Sequence, residues 1–326
     1  MSILQAVYPI AACILLAVSI ILSVRLSRIR AEQEQLNRQL AAAHAELESY
    51  ACIAPNNLLR LLKLLNYRSG TPLEVGMHRQ VESVVMDVNM PAFSEFSHGK
   101  APLSIVNAVN SLLAGIIPVV QQSGGTIERF GGAGLSALFG SEYERAVTAA
   151  VSICEEAARR EDGDAITIGI CDGSVLLGVV GNGDTMTVLA LTGDSYTAAP
   201  LRALGYQYNA RIVVTAQILE NIPDGFRRFN CRRLGCVLLA ATQTLVWVYD
   251  IFDGDCADMK NSKRKTKMVF EKGVALFFDG DIMAARQHFV EVLKNDSRDR
   301  AAKEYLLLCD GVLNKQMLPQ SYIGSI

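Results

Sequence analysis

Ile127 to Gly140 reads IERFGGAGLSALFG, with Gly124 and Gly125 just ahead of it. Two short runs able to alternate, Thr126 to Phe130 and Leu135 to Phe139, flank a cluster of small residues. A tight hairpin needs that arrangement where its turn takes φ > 0. Outward from it, Val81 to Val88 (VESVVMDV) is rich in β-branched residues and predicts a buried strand ending near Asp87, followed by Pro91 and a polar loop. Leu103 to Val120 and Glu142 to Arg159 carry apolar residues at helical spacing. Ala165 to Val180 (AITIGICDGSVLLGVV) predicts a strand pair turning at Asp172-Gly173. A strand over Thr185 to Leu191 and a helix over Asp194 to Tyr206, opened by Gly193-Asp194, come next. A strand over Arg211 to Thr215 and a hairpin of Arg232 to Ala240 with Thr244 to Ile251 close the pattern. By itself the order says α+β: a mixed sheet covered by helices.

The net charge of −2 gives no footprint for a nucleic-acid partner. Half of the chain is apolar, and part of that excess sits in Ile3 to Val24, about 22 residues long, enough to cross a bilayer as a helix. A cleaved signal peptide is the rival, and Ile10-Ala11-Ala12-Cys13 resembles a lipoprotein cleavage box. Against it, no basic residue precedes the run, and the run continues past Cys13. Arg25, Arg28 and Arg30 follow directly, which predicts a single-pass anchor in the cell membrane with the remaining chain in the cytoplasm. The eight cysteines then need no disulfide framework, and the four histidines are too dispersed for a metal cluster.

From Leu22 to Tyr50, residues Leu22, Leu26, Ile29, Gln33, Leu36, Leu40, Ala43, Leu47 and Tyr50 alternate four and three apart. That spacing is a coiled-coil seam, which predicts a parallel dimer; a single solvated helix is the plain alternative. Cys52 to Tyr67, with NNLLRLLKLLNY, has the pattern of an amphipathic connector. Far downstream, KNSKRKTK (Lys260 to Lys267) predicts a solvated basic linker, which beside a membrane would meet anionic lipid. Met268 to Val312 holds helical patterns in which Gly273, Leu276, Ala285 and Phe289 stand at the small-and-large spacing of a tetratricopeptide helix pair. So short a set packs on the body or offers a groove to a protein partner.

The hairpin stretch resembles the central hairpin of class III nucleotidyl (adenylyl and guanylyl) cyclase domains. Ile127, Glu128, Arg129, Phe130, Gly132, Gly134, Ala137, Phe139 and Gly140 fall into its slots. VVMDVNMPAFSEFS (Val84 to Ser97) is similar to the first-strand motif, with Asp87 in the metal slot and two additional residues near Met90 and Pro91. IGICDGSVLLGVVG (Ile168 to Gly181) matches a further signature, and LTGDSYTAAPLRAL (Leu191 to Leu204) aligns with the stretch that opens the next helix. The resemblance covers about Pro55 to Asp250 and implies the ferredoxin-like βαββαβ core of that family. The division it suggests is an anchor over 1–24, a coiled coil over 25–50, a connector over 51–77 and a cyclase-like domain over 78–252. A basic linker over 253–267 and a tetratricopeptide-like tail over 268–326 would follow.

In such enzymes the 3′-hydroxyl of a nucleoside triphosphate attacks the α-phosphate in line and expels pyrophosphate. Two Mg²⁺ or Mn²⁺ ions held by two carboxylates activate the hydroxyl and neutralise the triphosphate, while Asn and Arg from the opposite subunit stabilise the transition state. Here the second carboxylate slot holds Ala133, the asparagine slot Thr197 and the arginine slot Leu201, although Arg202 is adjacent. Arg129 occupies the base-reading lysine slot and Ala190 its partner slot. Loss of one oxyanion-type donor alone costs about 10² to 10³ in rate. The resemblance therefore implies a homodimeric pseudo-cyclase, dimerising through the coil and the cyclase-like domain, that keeps the fold as a signalling or scaffolding module. The alternatives are an active adenylate cyclase with a rearranged metal site using Asp87, Arg202 and a recruited carboxylate, or a sensor that binds nucleotide without turnover. Glu128, Asp172, Asp184 and Asp194 are the candidates for that carboxylate. Each position also has a plain reading: Asp87 as a strand-end residue, Arg129 as a solvated charge, Thr197 bonded within its helix and Arg202 in a surface ion pair.

Overall fold

The computed structural model describes residues 25, 27–28, 30, 33–41, 55–65, 73–89, 101–131, 134–159, 166–182, 185–192, 198–239 and 244–314. The anchor expected over 1–24 and the slots Ala133 and Thr197 lie outside the described residues, as do Asp184 and Asp194. The chain divides into two compact units, Met1–Leu59 and Arg60–Ile326. In the first, residues 33–41 of the expected coil are helical, and the seam residues Leu36 and Leu40 are exposed. Helix α1 (Pro55–Leu64) follows. Within the second unit its end is tied down: Arg60 Nη1 donates to the Gly125 carbonyl at 3.0 Å, and the Leu64 carbonyl accepts from Arg79 Nη1 at 2.8 Å.

The body is an eight-stranded mixed sheet in the order β2-β3-β1-β4-β6-β8-β7, with β5 also paired to β4. Its strands are β1 (His78–Asn89), β2 (Thr126–Gly131), β3 (Gly134–Leu138), β4 (Ile168–Asn182), β5 (Thr185–Thr192), β6 (Ile212–Thr215), β7 (Cys231–Leu239) and β8 (Thr244–Ile251). Helices α2 (Pro102–Gln122) and α3 (Tyr143–Ala158) cover one face. Alternation along β1 sends Val84, Met86 and Val88 into that core with Ile116, Val120, Val147, Ala150, Ile153, Ile170 and Val214. By length and composition alone α2 could cross a membrane, yet its Ile116 and Val120 are fully buried in this core. Helix α4 (Ala198–Tyr208) lies over β4, β1 and β6, and the short α5 (Ala216–Glu220) and α6 (Gly225–Arg228) lead to β7.

The expected turn at Asp172-Gly173 is not there: β4 runs unbroken for 15 residues. One edge explains why, since β1 pairs antiparallel along nearly its full length, Val84 opposite Asp172 and Ser83 opposite Gly173. On the other edge β4 pairs with β6 over Ile168 to Ile170 and with β5 over Val175 to Asn182. Asp172-Gly173 thus marks an exchange of partners, not a reversal. The chain reverses after Asn182, whose Oδ1 accepts the Thr185 N–H at 3.1 Å.

The expected basic linker is also absent. Residues Ala257–Phe278 form one 22-residue helix, α7, followed by α8 (Ile282–Asn295) and α9 (Arg300–Leu313). Helical periodicity puts Lys263, Thr266, Phe270, Gly273 and Phe277 on the buried stripe, while Arg264 and Lys265 face water. Lys263 Nζ lies 2.8 Å from Asp250 Oδ2 and 2.7 Å from Asp255 Oδ2, so a residue of the presumed linker belongs to the interior. The expected small-and-large contact forms: a Cβ on Gly273 would stand 3.0 Å from the Phe289 ring. Gly280, at φ +87°, ends the α7 turn, and Asp281 caps α8 by accepting from the Ala284 N–H.

The helices close the open edge of β7. A bulge between Arg233 and Gly235 breaks its register. There Glu271 Oε1 accepts the Arg233 N–H at 2.8 Å, and Tyr305 Oη donates to the Leu234 carbonyl at 2.8 Å. Side chains from α7 and α9 supply partners that a further strand would have given, which shields an edge otherwise open to aggregation.

Candidate functional site

The face of β1 opposite the core carries Ser83, Val85, Asp87 and Asn89. Gly134 starts β3 opposite Asn89, where a Cβ would collide with the Val88 carbonyl oxygen. Asp87 is 7% exposed and stands between Ser136 of β3 and Gly169 of β4. Gly169 decides what lies above it. A Cβ there would collide with the Ala198 carbonyl oxygen and fall 2.7 Å from the Arg202 nitrogen, so only glycine lets the α4 backbone rest on the strand.

That close approach brings Arg202 onto β1. Its Nε is 2.6 Å from Asp87 Oδ1, and its Nη1 donates to Asn89 Oδ1 at 2.6 Å. Burial pushes the Asp87 carboxyl above its ordinary range; Arg202, and beyond it Arg129, pull the other way. The strand pattern alone marks Asn89 as sharing the Asp87 face, being two residues on, yet the sequence reading missed it. Leu201, expected from the resemblance in the arginine slot, is fully buried, so a guanidinium there would have to be desolvated. Arg202, one position on, reaches a carboxylate instead.

Glu128 occupies the bulge where β2 slips against β3 between Ile127 and Arg129. Its side chain is only 10% exposed, whereas that of Arg129 is 59% exposed, with Arg129 Nε 3.8 Å from Glu128 Oε2. Burial raises the Glu128 carboxyl, Arg129 and the Ala190 N–H lower it, and Asp87 raises it slightly further. Of the candidate substitute carboxylates among the described residues, Glu128 is thus one that feels the Asp87 charge, weakly beside its own burial. It also engages the backbone of Ala190, linking one base-reading slot to the neighbour of the other. Asp172 faces elsewhere, 3.5 Å from the Tyr143 hydroxyl.

A pair of divalent ions needs two carboxylates and open coordination positions. The donor set does not fit it. Asp87 already faces a guanidinium at 2.6 Å, Ala133, expected from the resemblance in the second slot, has no ligand atom in its side chain, and no cluster of three or more His, Cys, Asp or Glu forms among the described residues.

No family model matches the chain. It is similar to the terminal-differentiation specific adenylate cyclase of Dictyostelium discoideum, 25% identical over 206 residues, which are 59% of this chain and 10% of that protein. It is similar also to an adenylate cyclase of Anabaena cylindrica, 20% identical over 195 residues, covering 55% of this chain and 38% of that one. The chain therefore spans about a tenth and under two fifths of the lengths of these relatives. Its fold is similar to that of a bacterial light-regulated adenylyl cyclase, with a TM-score of 0.56 and 20% identity over 72% of this chain and 69% of that one. The mixed sheet with a helix laid across β1 and β4 is thus the fold of that light-regulated adenylyl cyclase, and the chain is similar in sequence to parts of two adenylate cyclases.

Proposed function

We propose that the chain is a membrane-anchored, homodimeric pseudo-cyclase: a cyclase homology domain kept as a signalling or scaffolding module whose metal slot is closed by its own arginine. The observation that carries this reading is the 2.6 Å contact of Arg202 Nε with Asp87 Oδ1. The one carboxylate left in a metal slot is neutralised from within the same chain, with Asn89 holding the guanidinium in place. Ala133, Thr197 and Leu201 add to it, since none can supply a metal ligand, a ribose-orienting amide or a cation for the transition state. In this reading the anchor and coil bring two bodies together at the cytoplasmic face, and the α7 to α9 helices stabilise the body or meet a protein partner. Mg²⁺ or Mn²⁺ enters only with a nucleotide.

One observation favours a second reading, an active adenylate cyclase with a rearranged site: the Glu128 side chain is only 10% exposed, and the Asp87 charge adds to burial in pushing its carboxyl up. That enzyme would need Arg202 to leave Asp87. A cyclase assay on the full chain with ATP or GTP, in Mg²⁺ and in Mn²⁺, separates the two. The pseudo-cyclase reading expects no cyclic nucleotide from the wild type. Product that disappears in both Asp87→Asn and Glu128→Gln would establish the active enzyme instead.

A further inference from the structure

Where the α7 to α9 helices meet the sheet, a cavity of about 170 Å³ is lined by Tyr208, Arg232, Lys263, Arg298, Asp299 and Arg300, among others. Its inner wall is built from buried cations. Arg232 is 1% exposed, its Nε 3.1 Å from Asp250 Oδ2 and its Nη1 and Nη2 at 2.6 and 3.4 Å from the two oxygens of Asp299. Of the five N–H donors of a guanidinium these contacts engage three, which leaves two. Lys263, 6% exposed, turns two of its three donors to Asp250 and Asp255, which leaves one.

Buried donors without acceptors are costly, so this wall calls for an oxygen-bearing occupant. The acids at the wall are already engaged. Asp299 also accepts the Ala302 N–H, and Asp296 accepts from the Ser262 hydroxyl at 2.6 Å and the Arg298 N–H at 2.9 Å. Neither Asp250 nor Asp255 lines the cavity, and they balance Arg232 and Lys263 from behind. The rim adds two more cations: Arg298, with a 72% exposed side chain whose Nε also donates to Asp296 Oδ1 at 3.3 Å, and Arg300, 5.8 Å from the centre of the Tyr206 ring.

We propose that this cavity is a binding site for a small oxyanion, a phosphate or a short carboxylate, held by Arg232 and Lys263 inside and by Arg298 and Arg300 at the rim. Burial pushes the Asp299 carboxyl up, yet Arg232 and the Ala302 N–H outweigh it and hold the group below its usual range. Asp296 is likewise held low, against burial, by Ser262 and Arg298. The site lies at the end of α4, the helix whose Arg202 covers Asp87, and it would bind its ligand whether or not the body cyclises nucleotides.

The test is titration calorimetry on the full chain with inorganic phosphate and, separately, with succinate, each against chloride of equal ionic strength. The wild type is compared with an Arg298→Ser, Arg300→Ser double variant, whose changes lie outside the buried ion-pair network and whose folding is checked by its unfolding temperature in chloride. Saturable binding of one anion per chain, weakened roughly tenfold or more in the double variant, is expected. Preference between the two probes then distinguishes a phosphate site from a carboxylate site. Absence of saturable heat from either, or identical binding by wild type and variant, would overturn the proposal and leave the cavity to water.

Discussion

Arg202 closes on Asp87 because Gly169 lies beneath both. The glycine is paired with Asp87 across the sheet and leaves no Cβ to hold α4 away, so the guanidinium arrives at 2.6 Å from the carboxylate. Charge neutralisation at this position is therefore a property of helix-on-sheet packing, two steps removed from the residues that form the pair.

Replacing Arg202 by alanine leaves Asp87 buried without its cation. A fully buried pair loses about 3 to 5 kcal/mol when one partner goes; with the guanidinium 22% exposed, we expect about 2 kcal/mol from urea unfolding. Adding Asp87→Asn should recover part of that loss. Strictly additive single effects would mean that the pair contributes nothing.

Gly169→Ala drives a methyl group into the Ala198 carbonyl, so α4 must lift. The cost is about 1 to 3 kcal/mol or more, as for other overpacked sites. The same variant should blunt the effect of Arg202→Ala, since the ion pair is already stretched. Equal effects of Arg202→Ala in both backgrounds would sink this account of why the arginine sits there.

Stability should rise as the pH falls from neutral into the weakly acidic range. Asp87 and Glu128 have folded values above their ordinary 3.8 and 4.5, mainly through burial, so the folded state holds more protons there and the penalty for their charge is relieved as the pH falls. Asp299 and Asp296 act in the opposite sense: their contribution is complete above the ordinary 3.8 and is lost as the pH drops through their lowered folded values. The unfolding temperature should thus pass through a maximum on the acid side of neutrality. Glu128→Gln should flatten the rise toward it; parallel profiles for the two proteins would contradict the assignment.

Asp299→Ala removes two things together, the bidentate partner of Arg232 and the N-cap of α9. A buried guanidinium then keeps only Asp250, and we expect a loss of about 4 kcal/mol in denaturant unfolding. Asp299→Asn, which keeps a capping oxygen, should cost less. A loss below about 1 kcal/mol would show the network to be solvated.

Removing the partners of the β7 edge should show in association more than in stability. Glu271→Ala with Tyr305→Phe leaves the Arg233 N–H and the Leu234 carbonyl unpaired at the bulge. Light scattering at rising concentration should increase relative to wild type. Unchanged scattering would mean that helix bulk alone guards the edge.

Local periodicity carried much of the fold. The β2-β3 hairpin, the α2 and α3 helices and the β7-β8 hairpin could be read from spacings of two and of three to four, because each is set by neighbours in sequence. The Asp172-Gly173 and KNSKRKTK readings failed for the converse reason. A dipeptide that favours turns was overruled by the unbroken pairing with β1, and a charged run that suggests solvent was overruled by two aspartates waiting in the interior.

At the candidate site the sequence by itself determined residue type: Ala133, Thr197 and Leu201 carry no carboxylate, amide or guanidinium, wherever they stand. It also named Asp87 and Arg202, as members of one rearranged site in the alternative of an active enzyme. Only the tertiary structure decided that they meet, that Asn89 fixes the arginine from a position 113 residues away in sequence, and that Glu128 turns inward while Arg129 turns out. Residue type and spacing encode what a side chain can do and which face it occupies. Which charge it finds across the fold depends on how closely one backbone can approach another, and here that distance was set by the missing Cβ of Gly169.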